Sequence, residues 1–311
     1  MKKVILISII IVMILPGAAG CRPALGVQND GGLHILAVET FLGDIAQNVA
    51  GERTRVDTLI PAGLDPHAFE PTPQDAARIQ DASVLIINGA GLEAWLGKLM
   101  INTGKDQLVI SASEGLAPRA PAGSETAATA NSVHEEGDPH FWLNPLNVIR
   151  YVENIRDGLI QADPDGKEIY NRNADAYIAR LKDLDIEIRA QVEQIPTDRR
   201  LLVTNHESFG YFADRYGFTV IGTILPGASS SASPSAMQMV DLIEKIRSSG
   251  APAVFLETGS SPMLAEQIGQ ETGIRVISNL YTHSLTAKGG EAPTYIDLMK
   301  HNTEVICAAL K

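Results

Sequence analysis

Short apolar runs alternate along most of the chain with stretches in which apolar residues recur every three or four positions. Runs at residues 34–38, 84–88 and 108–110 read as buried strands, and stretches at 41–50 and near 92–100 read as helices between them. Continuous apolar strands that alternate with amphipathic helices predict a parallel sheet covered on both faces. Residues 165–194 follow a different rule. Ile169, Tyr170, Ala174, Tyr177, Leu181, Leu184, Ile188 and Val192 fall mostly three or four apart. That spacing predicts one amphipathic helix, about 45 Å long at about 1.5 Å per residue, which Pro196 ends. Strands then resume at 201–204, 218–224, 254–257 and 276–277, and a helix near 294–310 closes the chain. The expected fold class is α/β: a first lobe over 33–164, a linker helix over 165–195 and a second lobe over 196–311.

Two segments stand outside this rhythm. Residues 1–20 begin with Lys2 and Lys3, continue as an apolar run broken only by Ser8, and end in Pro16, Gly17, Ala18, Ala19 and Gly20. This order describes a secretory signal peptide. The run is shorter than the about 20 apolar residues a membrane-spanning helix needs. Cys21 directly after Ala18-Ala19-Gly20 resembles a bacterial lipidation site, with Ala18 where the usual pattern carries Leu. The expectation is a lipid on Cys21, a flexible tether over 21–32, and a chain held on the outer face of the cytoplasmic membrane or in the periplasm. The alternative is an ordinary secreted protein with an incidental Cys21. The second segment, 117–137, is rich in Ala, Pro, Gly, Ser, Thr and Glu and reads as a mobile loop. It carries His134, Glu135 and Glu136, which either gather metal weakly or are simply solvated.

With Cys21 lipidated, Cys307 is the remaining thiol, so the mature chain must stand on its core without an internal disulfide. Cys307 lies on the apolar stripe of the last helix and is expected to be buried. The formal net charge of −12 becomes −14 once Lys2 and Lys3 leave with the signal. An acidic surface argues against nucleic acid as a partner, because phosphate binding needs clustered Lys and Arg.

The candidate chemistry lies in the histidines, of which there are seven. His34 opens a strand and His301 sits on the last helix, both without company at ligand spacing. His67 and His140 each end an Asp-Pro-His tripeptide, with Asp65 and Asp138 two residues earlier. Proline fixes one torsion and restricts the residue before it, which stiffens the approach to the histidine. The Asp could accept the second imidazole N–H or cap a turn. His206 and His283 follow strands of the second lobe, at the carboxyl edge where open α/β sheets bind ligands. Glu207 and Glu257 are further candidates to support these rings. An ion held by His67, His140, His206 and His283 would bridge parts that fold separately and clamp a cleft.

With these motifs, the mature chain resembles the metal-specific solute-binding lipoproteins of bacterial ABC importers, the zinc/manganese class. The resembling stretches are Asp65-Pro66-His67 with residues 70–73, residues 138–145, Asn205-His206 with Phe209, Gly210 and Tyr211, Phe255-Leu256-Glu257, and residues 295–302. The resemblance covers nearly all of residues 33–311. It implies two Rossmann-like lobes joined by one rigid helix, metal in the interlobe cleft, and ligands at His67, His140 and His206. The family's fourth ligand is usually an Asp followed by Ser, and the matching step here is His283-Ser284. His283 either supplies a fourth imidazole or leaves that place to water. The resemblance also implies a membrane permease as partner and a monomeric binding protein.

Imidazole nitrogen suits zinc and its neighbours, whereas carboxylate oxygen suits manganese. Zn2+ is therefore the expected cargo, with Mn2+ or Fe2+ as alternatives. A zinc hydrolase with Glu207 as base is a rival reading, as is a surface adhesin that uses metal structurally. No His-Glu-x-x-His helix supports the enzyme, and a fourth histidine would take the place of activated water.

Overall fold

The computed structural model describes residues 33–100, 107–120, 137–227, 230 and 233–311. The expected signal peptide and tether, with Cys21, lie outside the described residues, as do His134, Glu135 and Glu136. Among the described residues no helix is long and apolar enough to cross a membrane.

The first lobe runs β1 (Ile35–Ala37), α1 (Thr40–Ala50), β2 (Val56–Thr58), α2 (Pro73–Asp81), β3 (Val84–Ile87), α3 (Leu96–Met100) and β4 (Leu108–Ser111). Its strands are parallel in the order β2-β1-β3-β4. Two helices follow, α4 (Pro145–Ala162) and α5 (Lys167–Val192). The second lobe runs β5 (Leu201–Thr204), α6 (Gly210–Tyr216), β6 (Thr219–Thr223), α7 (Ala236–Ser249), β7 (Ala253–Glu257), α8 (Met263–Thr272) and β8 (Arg275–Leu280), and α9 (Tyr295–Leu310) closes the chain. Its parallel order β6-β5-β7-β8 repeats the first lobe strand for strand.

Local chemistry explains several of these elements. Thr72 and Asp75 form a capping box before α2, and Ser235 and Gln238 form another before α7. Asn144 caps α4 through the N–H of Leu146, with Pro145 at the first helical position. The long helix is 26 residues, about 39 Å. The stretch near 92–100 is regular only from Leu96, because Gly89, Ala90 and Gly91 all take positive φ and hold the chain in a turn. Strand β2 escapes a pattern search because Val56 is its only apolar residue and it sits at the sheet edge.

The linker helix is cemented along one face. A single apolar core takes in Phe41 and Ile45 of α1, Tyr151 and Ile155 of α4, Tyr170, Tyr177 and Leu184 of α5, Phe212 of α6 and Leu298 of α9. Cys307 is buried in it. Smaller cores lie under α2 and α3 of the first lobe and under α7 and α8 of the second. An Arg–Asp–Tyr clasp holds each end of α5. Arg53 and the Tyr170 hydroxyl both engage Asp163, with Nη2 to Oδ1 at 2.7 Å. Arg215 and the Tyr216 hydroxyl both engage Asp185, with Nε to Oδ1 at 2.8 Å.

Candidate metal centre

The loops at the carboxyl ends of the strands converge between the lobes. His67 lies in a single 3-10 turn, Pro66–Ala68, and His140 lies at the cap of another, Phe141–Leu143. His206 follows β5 by two residues and His283 follows β8 by three. The Nε2 atoms of His67, His206 and His283 stand 3.1, 3.2 and 3.2 Å from Nε2 of His140. One ligand atom from each of the four lies within 4.8 Å of the others. A tetrahedral ion with metal–nitrogen bonds of about 2.0 Å has an edge of about 3.3 Å, close to these separations. His140 and His206 are fully buried, His283 nearly so, and His67 is partly exposed.

Each ring is aimed by its other nitrogen or by its backbone. Asp138 Oδ1 accepts the backbone N–H of His140 at 3.0 Å and stands 2.8 Å from Nδ1 of the same residue. Glu257 reaches two rings: Oε1 lies 2.7 Å from Nδ1 of His206, and Oε2 lies 3.4 Å from Nδ1 of His283. The hydroxyl of Thr282 also meets His283 Nδ1, at 3.0 Å. Protonation at Nδ1 leaves the Nε2 lone pair facing the centre, the form a metal ion requires. Asp65 behaves differently from Asp138. Its Oδ1 accepts the backbone N–H of His67 at 2.9 Å, so it caps the turn. Its Oδ2 accepts the Ser230 hydroxyl from the other lobe. Glu207 is buried beside the cluster, with its backbone N–H on the Gly227 carbonyl at 3.1 Å.

The two carboxylates sit in opposed electrostatic settings. Burial pushes the Asp138 carboxyl up to about 7, against the backbone N–H of His140 and the Arg119 guanidinium 3.8 Å away. Burial also works to raise Glu257, but the His206 and His283 rings outweigh it and hold that carboxyl well below its ordinary range. The same pairing raises His283 despite its burial.

Some of the supporting roles are not legible in the motifs, although Trp142, Gly210 and Tyr211 lie in the stretches that resemble the family. The Tyr211 hydroxyl donates to the Asp138 carbonyl at 2.7 Å and accepts the Arg119 N–H at 2.9 Å, which ties the second lobe to the loop that holds His140. Gly210 lets the Arg119 guanidinium pass, since a Cβ there would overlap it. Trp142 Nε1 donates to the Thr282 carbonyl at 2.7 Å, beside His283. His34 and His301 lie apart from the cluster: His34 is near Asp57, and His301 meets the Asn279 carbonyl.

Residues 35–309 match the family described as zinc-uptake complex component A, periplasmic. The chain belongs to that family. The match agrees with the likeness of its motifs to metal-specific solute-binding lipoproteins of ABC importers, and the two-lobed α/β fold is the one the structure displays. The chain is 36% identical over its whole length, and over 99% of the relative's, to the manganese-binding lipoprotein MntA of Halalkalibacterium halodurans. It is 34% identical to the iron-binding protein YfeA of Yersinia pestis, over 88% of this chain and 84% of that one. Among solved structures, the periplasmic zinc binding protein TroA of Treponema pallidum superposes with a TM-score of 0.78 at 26% identity, covering 90% of this chain and 99% of its own. Relatives of one fold thus carry the names of three metals.

Proposed function

We propose that this chain captures one Zn2+ ion between its lobes through Nε2 of His67, His140, His206 and His283 and delivers it to a membrane permease of an ABC importer. Asp138 and Glu257 orient the rings and balance the charge of the cation. In the same reading residues 1–20 are a signal peptide, Cys21 carries the lipid, residues 21–32 form the tether, and the linker helix over 165–195 divides the two lobes.

The observation that carries the choice of zinc is the all-imidazole donor set. Four neutral nitrogens at tetrahedral spacing suit zinc, whereas manganese favours carboxylate oxygen and lies lower in intrinsic affinity at nitrogen sites. The four rings also support a binding role over hydrolysis, because they leave no ligand position for an activated water. The test is a titration of the purified mature protein and of His283→Ala with zinc and with manganese. The expected result is one reversible zinc per chain, weaker manganese binding, and a loss of zinc affinity in the variant. Unchanged zinc affinity in His283→Ala would remove that ring from the site. Metal-dependent hydrolysis of esters, peptides or phosphates would overturn the transport reading.

A further inference from the structure

The first sheet, in the order β2-β1-β3-β4, has its switch point between β1 and β3, where the chain leaves in opposite directions. Two glutamates meet there, outside the histidine cluster. Glu39 follows β1 and precedes α1, and Glu93 lies in the turn before α3. Their side chains are 1% and 7% exposed. Glu93 is held by backbone: Oε1 accepts the N–H of Asn88 at 2.5 Å and Oε2 that of Gly89 at 3.1 Å. Glu39 has less support: neither of its oxygens makes a well-formed hydrogen bond to another residue's donor, its own backbone N–H is the one donor that favours its charge, and the group beside it is the Glu93 carboxyl.

Among the described residues, the groups that act most strongly on the pair are its own carboxyls and nearby backbone N–H groups, not a Lys, Arg or His. From α4 the Tyr151 hydroxyl donates to Asn88, with Tyr211 and Asp138 beyond it. The titratable groups that reach α1 from α5 and α9, namely Arg180, Tyr177 and Asp297, act on Asp44, further along that helix. A buried carboxylate short of donors and counter-ions is heavily penalised, and two side by side more so. A protonated Glu39 has an O–H to give, and the Glu93 carboxylate is the acceptor next to it.

We infer that Glu39 and Glu93 share one proton at neutral pH, forming a buried acid pair that locks the switch point of the first lobe. Burial pushes both carboxyls up, Glu93 to about 7. The shared proton braces two segments that reach the metal centre. Asn88, held by Glu93, donates its side-chain N–H to the Pro139 carbonyl at 3.1 Å, next to His140. Thr40, next to Glu39, accepts the Leu285 N–H at 2.8 Å, just past His283. The pair is defined by the protein alone, so this inference stands whether or not zinc is the cargo.

Infrared spectroscopy of the metal-free mature protein tests it. Glutamate carries a 13C-carboxyl label so that Asp138 does not contribute. The expected spectrum at pH 7 contains a protonated glutamic-acid carbonyl band that Glu39→Gln removes. A wild-type spectrum with carboxylate bands alone would overturn the inference, even if the variant failed to fold. Stability gives a second readout. The folded state holds a proton that unfolded glutamates release near pH 4.3, so stability is lost as pH rises above that value. Between about pH 5 and 7 the folded-to-unfolded ratio of the wild type should fall about tenfold per pH unit relative to Glu39→Gln. Parallel pH profiles for the two proteins would contradict the shared proton.

Discussion

The two lobes repeat one strand order and bring their histidines to the same edge, yet they support those rings by opposite electrostatics. In the first lobe Asp138 serves one ring and burial drives its carboxyl up to about 7. In the second lobe Glu257 spans two rings, which hold it well below the ordinary range. The difference lies in company. A buried carboxylate is costly unless cationic or N–H partners surround it, and two imidazoles supply more than one does. A repeated fold therefore fixes where ligands emerge, while loop residues decide how each half holds charge.

Removal of a whole donor should have the largest effect and should not distinguish the lobes. His140→Ala and His206→Ala are each expected to weaken zinc binding by on the order of 100-fold, about a quarter of the free energy of a four-ligand zinc site. Competition titration against a chelator measures this. A much smaller loss from one lobe would mean that its ring is not a ligand.

Loss of the supports comes next and should separate the lobes. Glu257→Ala removes the partner of two rings and is expected to cost zinc affinity near the upper end of about 10–100-fold. Asp138→Ala should fall near the lower end of that range. The reverse order, by the same titration, would break the comparison.

The pH profiles of the metal-free protein should diverge in sign. The folded Asp138 carboxyl lies above its unfolded value. Its contribution is therefore full below about pH 4 and is lost as pH rises toward 7. Glu257 is depressed, so its contribution is present above about pH 4.3 and is lost as pH falls through its lower folded value. Thermal melts across pH should show Asp138→Asn flattening the rise-side loss and Glu257→Gln flattening the acid limb. Equal effects on both limbs would contradict the contrast.

The smallest effects belong to the clasps at the ends of α5. Arg53–Asp163 lies at the surface and is screened by solvent, so Arg53→Ala should be the milder of the two changes. Asp185 is more deeply buried than Asp163, and Arg215→Ala leaves its carboxylate short of a partner, so the cost should be about 1–3 kcal/mol. Chemical denaturation of the two variants tests the order.

Much of this was readable from the chain because the informative residues are local. His206 and His283 stand just past apolar strands, and the two Asp-Pro-His tripeptides announce stiff turns. Glu257 was visible as the acid that ends an apolar strand. What the sequence hid depends on long-range approach. Asp65 and Asp138 occupy the same tripeptide position, yet one caps a turn and the other also meets a ring. The Arg119–Tyr211 tie spans 92 positions, and although Tyr211 lies in a stretch that resembles the family, no local pattern joins it to Arg119. Glu39 had a weak signal, an acid placed directly after the buried run 35–38, but its meeting with Glu93 depends on β1 and β3 being neighbours.

X-ray absorption of the zinc-loaded mature protein tests the four-imidazole centre most directly. The predicted spectrum has four nitrogen scatterers at about 2.0 Å with the outer-shell pattern of four imidazole rings. A shell with a carboxylate or water oxygen in place of one ring would contradict it and return the choice between zinc and manganese to the fourth ligand.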